Sequence, residues 1–301
     1  MIDRSLSLTL PKPQSVRTIL SSYLQLTKPS IMLLVLVTGA VSLVMEGSLL
    51  SHPVRFLLVL LGLYLTGGCA NAINQYLERD IDASMSRTKY KRPLPLQRLS
   101  AAHALGFAIV IGISGVLIFG VIFNWLTAIL SLATILFYSF VYTLWLKPTT
   151  WQNIVIGGAA GAMAPVGAWT AATGGMALAP WLLFLIVFLW TPPHFWSLAL
   201  FIKDDYEKVG YPMLPVVKGD KATLDQILVY IILLVFVSLT PMFAGSRWLY
   251  FAFAIVLGAV FLKKAGTARR SQSPQDVRAL FRYSIIYLFG ICLALAMDRL
   301  I

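Results

Sequence analysis

The sequence predicts an all-α polytopic membrane protein: nine transmembrane helices with the N-terminus in the cytoplasm. Three observations carry this prediction. Of 301 residues, 58% are hydrophobic and 12% charged, whereas a soluble domain is nearer half apolar and a quarter charged. Apolar runs long enough to cross a bilayer recur nine times along the chain. Finally, 21 of the 24 lysines and arginines segregate to one side of those runs, with only Arg55, Arg247 and Arg299 on the other.

Taken in order, residues 1–29 are polar and mixed, without the short apolar core and small-residue cleavage site of a secretory signal. They read as a cytoplasmic N-terminal segment ahead of a single membrane domain over 30–301. The spans fall at about 30–46, 54–76, 103–122, 125–146, 153–172, 180–201, 226–244, 247–264 and 280–298. Short turns at Phe123-Asn124 and Gly245-Ser246 divide the two longest apolar stretches. Alternation then places 1–29, 77–102, 147–152, 202–225 and 265–279 on the Lys/Arg-rich side, which the positive-inside rule makes cytoplasmic. Topology and anionic lipid headgroups account for the net charge of +12. No basic soluble domain is present, so no nucleic-acid partner is predicted. Cys69 and Cys292 both fall inside spans and read as small buried residues, neither a disulfide nor a metal box.

Acidic residues are scarce and topology does not require them, so they point to function. Ten of the twelve lie on the Lys/Arg-rich side: Asp3, Glu78, Asp80, Asp82, Asp204, Asp205, Glu207, Asp220, Asp225 and Asp276. The first cluster continues the second span out of the bilayer as Asn71-Ala-Ile-Asn74-Gln-Tyr-Leu-Glu78-Arg-Asp80-Ile-Asp82. Asn74, Glu78 and Asp82 are four apart, which in a helix puts their oxygens on one face, with Asn71 near the same stripe. Oxygen ligands so placed suit Mg²⁺, which takes one or two carboxylates and fills its shell with water and substrate phosphate. A solvated helix end of mixed charge is the plainer alternative. Arg87, Lys89, Lys91 and Arg92 follow at once. They are ordinary inside-loop charge by composition, but beside carboxylates they are placed to hold a diphosphate. The second cluster, Asp204, Asp205 and Glu207 after the sixth span, is either a second divalent-ion site or a hydrated loop.

His194 sits in Trp190-Thr-Pro192-Pro193-His194-Phe195-Trp196, where two prolines are expected to break the helix ladder. A histidine among aromatics at such a break suits a large planar ligand, as an iron ligand or a proton carrier. It reads equally as a hydrogen-bonded histidine packed between helices. Gly157, Gly158, Gly161 and Gly167 form a small-residue face in the fifth span, read as close helix packing. Tyr138, Tyr142 and Lys147 end the fourth span, as interface anchors or a snorkelling cation.

Asn74-x-x-x-Glu78-x-x-x-Asp82, followed by Arg87-Thr and Arg92-Pro93, resembles the first signature of the intramembrane aromatic prenyltransferases. Thr191-Pro-Pro-His194-Phe-Trp196 is similar to the members whose acceptor is haem. The resemblance spans nearly the whole chain. It implies nine helices around a central cavity, capped by catalytic cytoplasmic loops at 77–102 and 202–225. It implies that farnesyl diphosphate and haem B (protohaem IX) give haem O and diphosphate, for the cofactor of haem-copper oxidases. A bacterial-type plasma (inner) membrane location and a downstream haem-modifying enzyme as partner follow from the same resemblance. By position, Asn74, Glu78 and Asp82 would support Mg²⁺ and diphosphate. Arg87 would contact diphosphate with Lys147, and His194 would stand on the haem side. Asn71, Tyr142, Asp204 and Asp205 complete the expected substrate-binding set.

Two departures stand out. One extra residue separates Arg87-Thr from Arg92-Pro93, so the second cationic role falls to Lys91 or Arg92. The fuller second acidic motif of quinone-type relatives is reduced to Asp204-Asp205. A quinone or chlorin acceptor would need similar phosphate chemistry. A transporter is a competing class, but no acidic residue lies deep in a span and no inverted repeat is visible. A haem electron carrier would want a second intramembrane axial ligand facing the first.

Overall fold

The computed structural model describes residues 15–301. The first half of the expected N-terminal segment, Asp3 included, lies outside the described residues. Among the described residues, nine helical segments are long and apolar enough to cross a membrane.

Before the first span comes α1 (Val16–Leu26), capped by Ser15, whose Oγ accepts the Thr18 N–H at 3.2 Å. Val16, Leu20 and Leu24 recur every four residues and are exposed, the pattern of a helix lying in the membrane interface. The chain then turns at Lys28, whose φ of 53° is left-handed, directly before Pro29. The first two spans are α2 (Pro29–Glu46) and α3 (Pro53–Leu77). Past an irregular Glu78, the chain re-enters helix as α4 (Arg79–Ser84) and α5 (Ser86–Lys89). The third span, α6 (Ala101–Leu117), closes in a π-helical stretch, Ile118–Phe123. The fourth, α7 (Trp125–Leu136), runs through a longer π-helical stretch, Phe137–Leu146, into the single turn α8 (Lys147–Thr149).

The fifth span is two helices, α9 (Asn153–Ala162) and α10 (Ala164–Thr173), divided at Met163. Pro165, in the first turn of α10, has no N–H to give back across the joint. The sixth, α11 (Leu178–Ala199), corrects an expectation: it runs unbroken through Pro192 and Pro193. Ser197 Oγ donates to the Pro193 carbonyl at 2.6 Å, and Thr191 Oγ1 to the Val187 carbonyl at 2.8 Å. The break sits in the neighbouring span instead. After α12 (Lys203–Lys208) come α13 (Leu214–Ser238), α14 (Trp248–Ser271) and α15 (Pro274–Leu300). The seventh helix thus begins at Leu214 rather than near 226, with a kink at Gly219 where φ is 80°. Its first turns are charged, so hydropathy does not register them.

Around the bundle, α2 packs on α3, α10 and α15, α3 on α6, and α9 on α11. α11 in turn meets α13 and α15, and α14 lies against both α13 and α15. The α3–α6 seam is close because small residues line it. A Cβ on Gly62 would stand 2.6 Å from Phe119, and one on Gly112 2.6 Å from Cys69 Sγ. At the opposite end from α4 and α5, buried Asp298 accepts the backbone N–H of Arg247 at 2.5 Å and of Tyr250 at 3.0 Å, fixing the start of α14.

Candidate active site

The site begins where α3 stops. The Glu78 N–H still donates to the Asn74 carbonyl at 3.0 Å, and the Asp82 N–H to the Glu78 carbonyl at 2.7 Å. The four-residue register therefore survives the irregularity at Glu78, and Asn74, Glu78 and Asp82 stay together. All three are buried, at 2%, 3% and 2% exposure. Buried carboxylates need partners; two cations supply them, and a third bonds the amide. Arg92 is ion-paired with Asp82 and stands 3.7 Å from Glu78, while Lys147 is ion-paired with Glu78. Lys28 Nζ donates to Asn74 Oδ1 at 2.6 Å.

The fourth span supplies a wall. Asn74 Nδ2 donates to Thr143 Oγ1 at 3.2 Å, and Thr143 Oγ1 donates back five residues to the Tyr138 carbonyl at 2.9 Å. That five-residue reach is the π-helical geometry, which recurs at functional sites. Tyr142, from the same stretch, is buried, its ring 5.0 Å from that of Tyr138. Lys147 Nζ also lies over the Tyr211 ring at 5.0 Å.

Charge in this cluster is tightly coupled. Burial alone would push the Glu78 carboxyl up, but Lys147, Lys28 and Arg92 outweigh it and hold the group below its ordinary value. Asp82 moves the other way, raised by burial and then by Glu78, with Arg92 opposing. Burial, then repulsion from Arg92, lowers Lys28 well below an ordinary lysine.

Of the remaining expected residues, the structure brings some to the cluster and sends others elsewhere. Arg87 is half-buried and its Nε is enclosed with no hydrogen-bond partner, an orphaned donor of the kind an anion satisfies. Asp205 accepts the backbone N–H of Ser86 at 3.1 Å and of Arg87 at 2.9 Å, so it braces the Arg87 segment. Burial opposes its charge, yet those N–H groups hold the Asp205 carboxyl below its usual value. Asp204 is exposed. Lys91 is exposed too, at a polar recess shared with Lys28, Arg92, Gln25 and Gln75. Of Lys91 and Arg92, it is Arg92 that reaches the carboxylates. His194 lies apart, stacked against Trp190 and Phe281 between α11 and α15.

Asn71, one turn before Asn74, donates to the Thr27 carbonyl at 3.1 Å and borders an apolar crevice. Met32, Leu63, Ile135, Met163 and Gly167 line this crevice between α2, α3, α7 and the broken fifth span, with a cavity volume of about 120 Å³. Polar charge at one end and an apolar slot leading from it suit an amphiphilic phosphate ester. Lys28 and Thr143 were not legible as site residues. Lys28 looks like one more inside charge, and only its place before Pro29 at a helix start marks it.

The donor set is compatible with Mg²⁺. Amide and carboxylate oxygens are hard ligands, and in this arrangement each is already turned toward a positive group. Among the described residues no three His, Cys, Asp or Glu side chains gather as a complete metal site. A divalent ion here would therefore need phosphate oxygens or water to fill its shell.

Comparison with known proteins bears on the family and the fold. The UbiA prenyltransferase family pattern matches residues 35–289. A protoheme IX farnesyltransferase of Picosynechococcus sp. is 44% identical over 303 residues, covering 100% of this chain and 94% of the relative. One from Afipia carboxidovorans is 49% identical, covering 89% and 87%. Among solved structures, a digeranylgeranylglyceryl phosphate synthase superposes with a TM-score of 0.77 at 18% identity, over 93% of this chain and 98% of the other. A UbiA homologue from Archaeoglobus fulgidus, bound to DMAPP and Mg²⁺, superposes with a TM-score of 0.64 at 17% identity, over 91% and 99%. Sequence and architecture converge, and the chain belongs to the UbiA prenyltransferase family.

Proposed function

We propose that this chain transfers a farnesyl group from farnesyl diphosphate to a vinyl group of haem B, giving haem O and diphosphate. The observation that carries the reading is the union of Asn74, Glu78 and Asp82 with Lys28, Arg92 and Lys147 beside an apolar crevice. Full-length similarity to protoheme IX farnesyltransferases supports the acceptor and the prenyl donor.

In this reading Asn74, Glu78 and Asp82 hold Mg²⁺, which when bound supplies positive charge for the departing diphosphate. Arg87, Arg92, Lys28 and Lys147 bind diphosphate oxygens as negative charge builds on them. The prenyl tail lies in the crevice bordered by Asn71, Ile135 and Met163, whose apolar walls keep water from the allylic cation. The haem vinyl carbon forms the new bond to that cation. Water then adds to the porphyrin-side cation and loses a proton, leaving a hydroxyethylfarnesyl group. Asp205 acts by bracing Arg87, and the domain works as one membrane unit over 30–301. The cluster is at the Lys/Arg-rich end of the bundle, so the reaction faces the cytoplasm of an inner membrane.

The test is incubation of purified protein with haem B, farnesyl diphosphate and Mg²⁺, with mass analysis of the pigment. A pigment heavier by one farnesyl group plus one hydroxyl is expected. Diphosphate release with unchanged haem would move the acceptor to a quinone or chlorin, and no release at all would end the prenyltransferase reading.

A further inference from the structure

The hydrogen atoms around His194 can be assigned from its neighbours. Ser284, on α15, has one hydroxyl proton and two close partners. Its Oγ is 2.6 Å from the backbone carbonyl oxygen of Phe281 and 2.8 Å from His194 Nδ1. A carbonyl oxygen only accepts, so two oxygens at 2.6 Å must have the serine proton between them. Ser284 Oγ therefore accepts from His194, and Nδ1 bears the hydrogen. The neutral ring keeps its lone pair on Nε2, which has no hydrogen-bond partner among the described residues.

The ring is also held against rotation. Trp190 and Phe281 both lie nearly parallel to it, with centroids at 4.3 Å and 4.9 Å and tilts of 17° and 24°. Two rings at those distances cannot share one face, so the imidazole is sandwiched. Trp190 is fixed in turn by donating its indole N–H to the Ser284 carbonyl at 2.6 Å. One buried serine thus sets the histidine tautomer through its hydroxyl and a stacking partner through its carbonyl. His194 itself is only partly buried.

We propose that Ser284 is a positioning residue that locks His194 as the Nδ1–H tautomer and presents the Nε2 lone pair as an axial ligand for the iron of a metalloporphyrin. The proposal rests on the haem acceptor argued above. A partner on the far nitrogen fixes tautomer and orientation and raises ligand basicity, and its loss typically lowers metal affinity about 10- to 100-fold.

The chain has three histidines, His52, His103 and His194, so ¹⁵N-histidine labelling of the full chain in micelles gives few signals, and His194→Gln assigns the one in question. Without haem, His194 is expected to show a protonated Nδ1 and a bare Nε2. Ser284→Ala should mix the tautomers and Ser284→Thr should keep one. Titration with ferric haem should then give a nitrogen-ligated Soret and EPR signature that His194→Ala abolishes. Ser284→Ala should weaken haem binding about 10- to 100-fold. A wild-type Nε2–H tautomer, or a tautomer indifferent to Ser284→Ala, overturns the positioning role. An unchanged haem spectrum in His194→Ala overturns the ligand role, even if the wild type still farnesylates haem. Failure of the wild type to farnesylate haem is a separate result that strikes the proposed function, because the tautomer is read without haem.

Discussion

Gly157→Ala is expected to disturb the reaction centre from the fifth span. A Cβ on Gly157 would stand 2.6 Å from Cε2 and 2.9 Å from Cγ of Tyr142, and closer still to Cδ2. Carbon atoms rest at about 3.5–4.0 Å, so the ring must retreat by well over ~1 Å. It has little room, being buried and paired with Tyr138 at 5.0 Å. Overpacking of this kind costs about 1–3 kcal/mol, against about 0.5–1 kcal/mol gained by replacing a helical glycine. The expected net loss is about 1–2 kcal/mol, a factor of about 5–30 in the folded-to-unfolded ratio. Tyr142 shares its π-helical stretch with Thr143, and Lys147 follows at once, so turnover should fall as well. Thermal melting in one detergent reads the stability. Gly161→Ala is the matched control, since its Cβ would meet nothing within 4 Å, and it should melt no lower than wild type. In a Tyr142→Ala background, Gly157→Ala should cost nothing further. A Gly157→Ala protein as stable as wild type, or an undiminished penalty in the Tyr142→Ala background, refutes the steric argument.

Other expectations concern the charged cluster. Asn74→Ala and Asp82→Ala should each cut prenyl transfer by about 100-fold or more while leaving the protein in the membrane; normal turnover in either purified variant removes the proposed Mg²⁺ site. Lys28→Met should weaken use of the prenyl diphosphate by about 10- to 100-fold, the value of a hydrogen bond to a charged group, read as kcat/KM for that substrate; no change would make Lys28 a bystander. The Asp82 carboxyl is raised by burial, so protons compete with Mg²⁺ for it as pH falls. The Mg²⁺ concentration for half-maximal rate should therefore climb with acidity, and excess Mg²⁺ should move the acid limb to lower pH. A requirement independent of pH would contradict this.

Hydropathy read the fold well because the bilayer imposes it: among the described residues, the nine helical segments long and apolar enough to cross lie where apolar runs placed them. It failed where helices leave the lipid. Lys218, Asp220, Lys221 and Asp225 are helical in α13 but charged, and a scale that measures transfer to hydrocarbon says nothing about helix. Two prolines in α11 drew attention to a helix that stays whole, while Pro165, a single proline, marks the real joint. In the cluster, four-residue spacing brought Asn74, Glu78 and Asp82 together, and it survives an irregular Glu78. Which cation answers each carboxylate was beyond reach, since it depends on how α1, α8 and the residue 91–93 turn fold over the end of α3. The role of Asp205 was hidden for the same reason: its partners are backbone N–H groups, which leave no mark in a sequence.

The short leading helix, α1, carries a consequence of its own. Three carbonyls at its exit, those of Gln25, Leu26 and Thr27, accept side-chain amides of α3, and Lys28 dips into the charged centre. A chain trimmed at Pro29 would retain every crossing, insert normally and be inert, because its roof would be gone. Its exposed apolar stripe is placed to rest on lipid, which would tie that roof to headgroup packing and make the thickness and charge of the host bilayer variables of the chemistry.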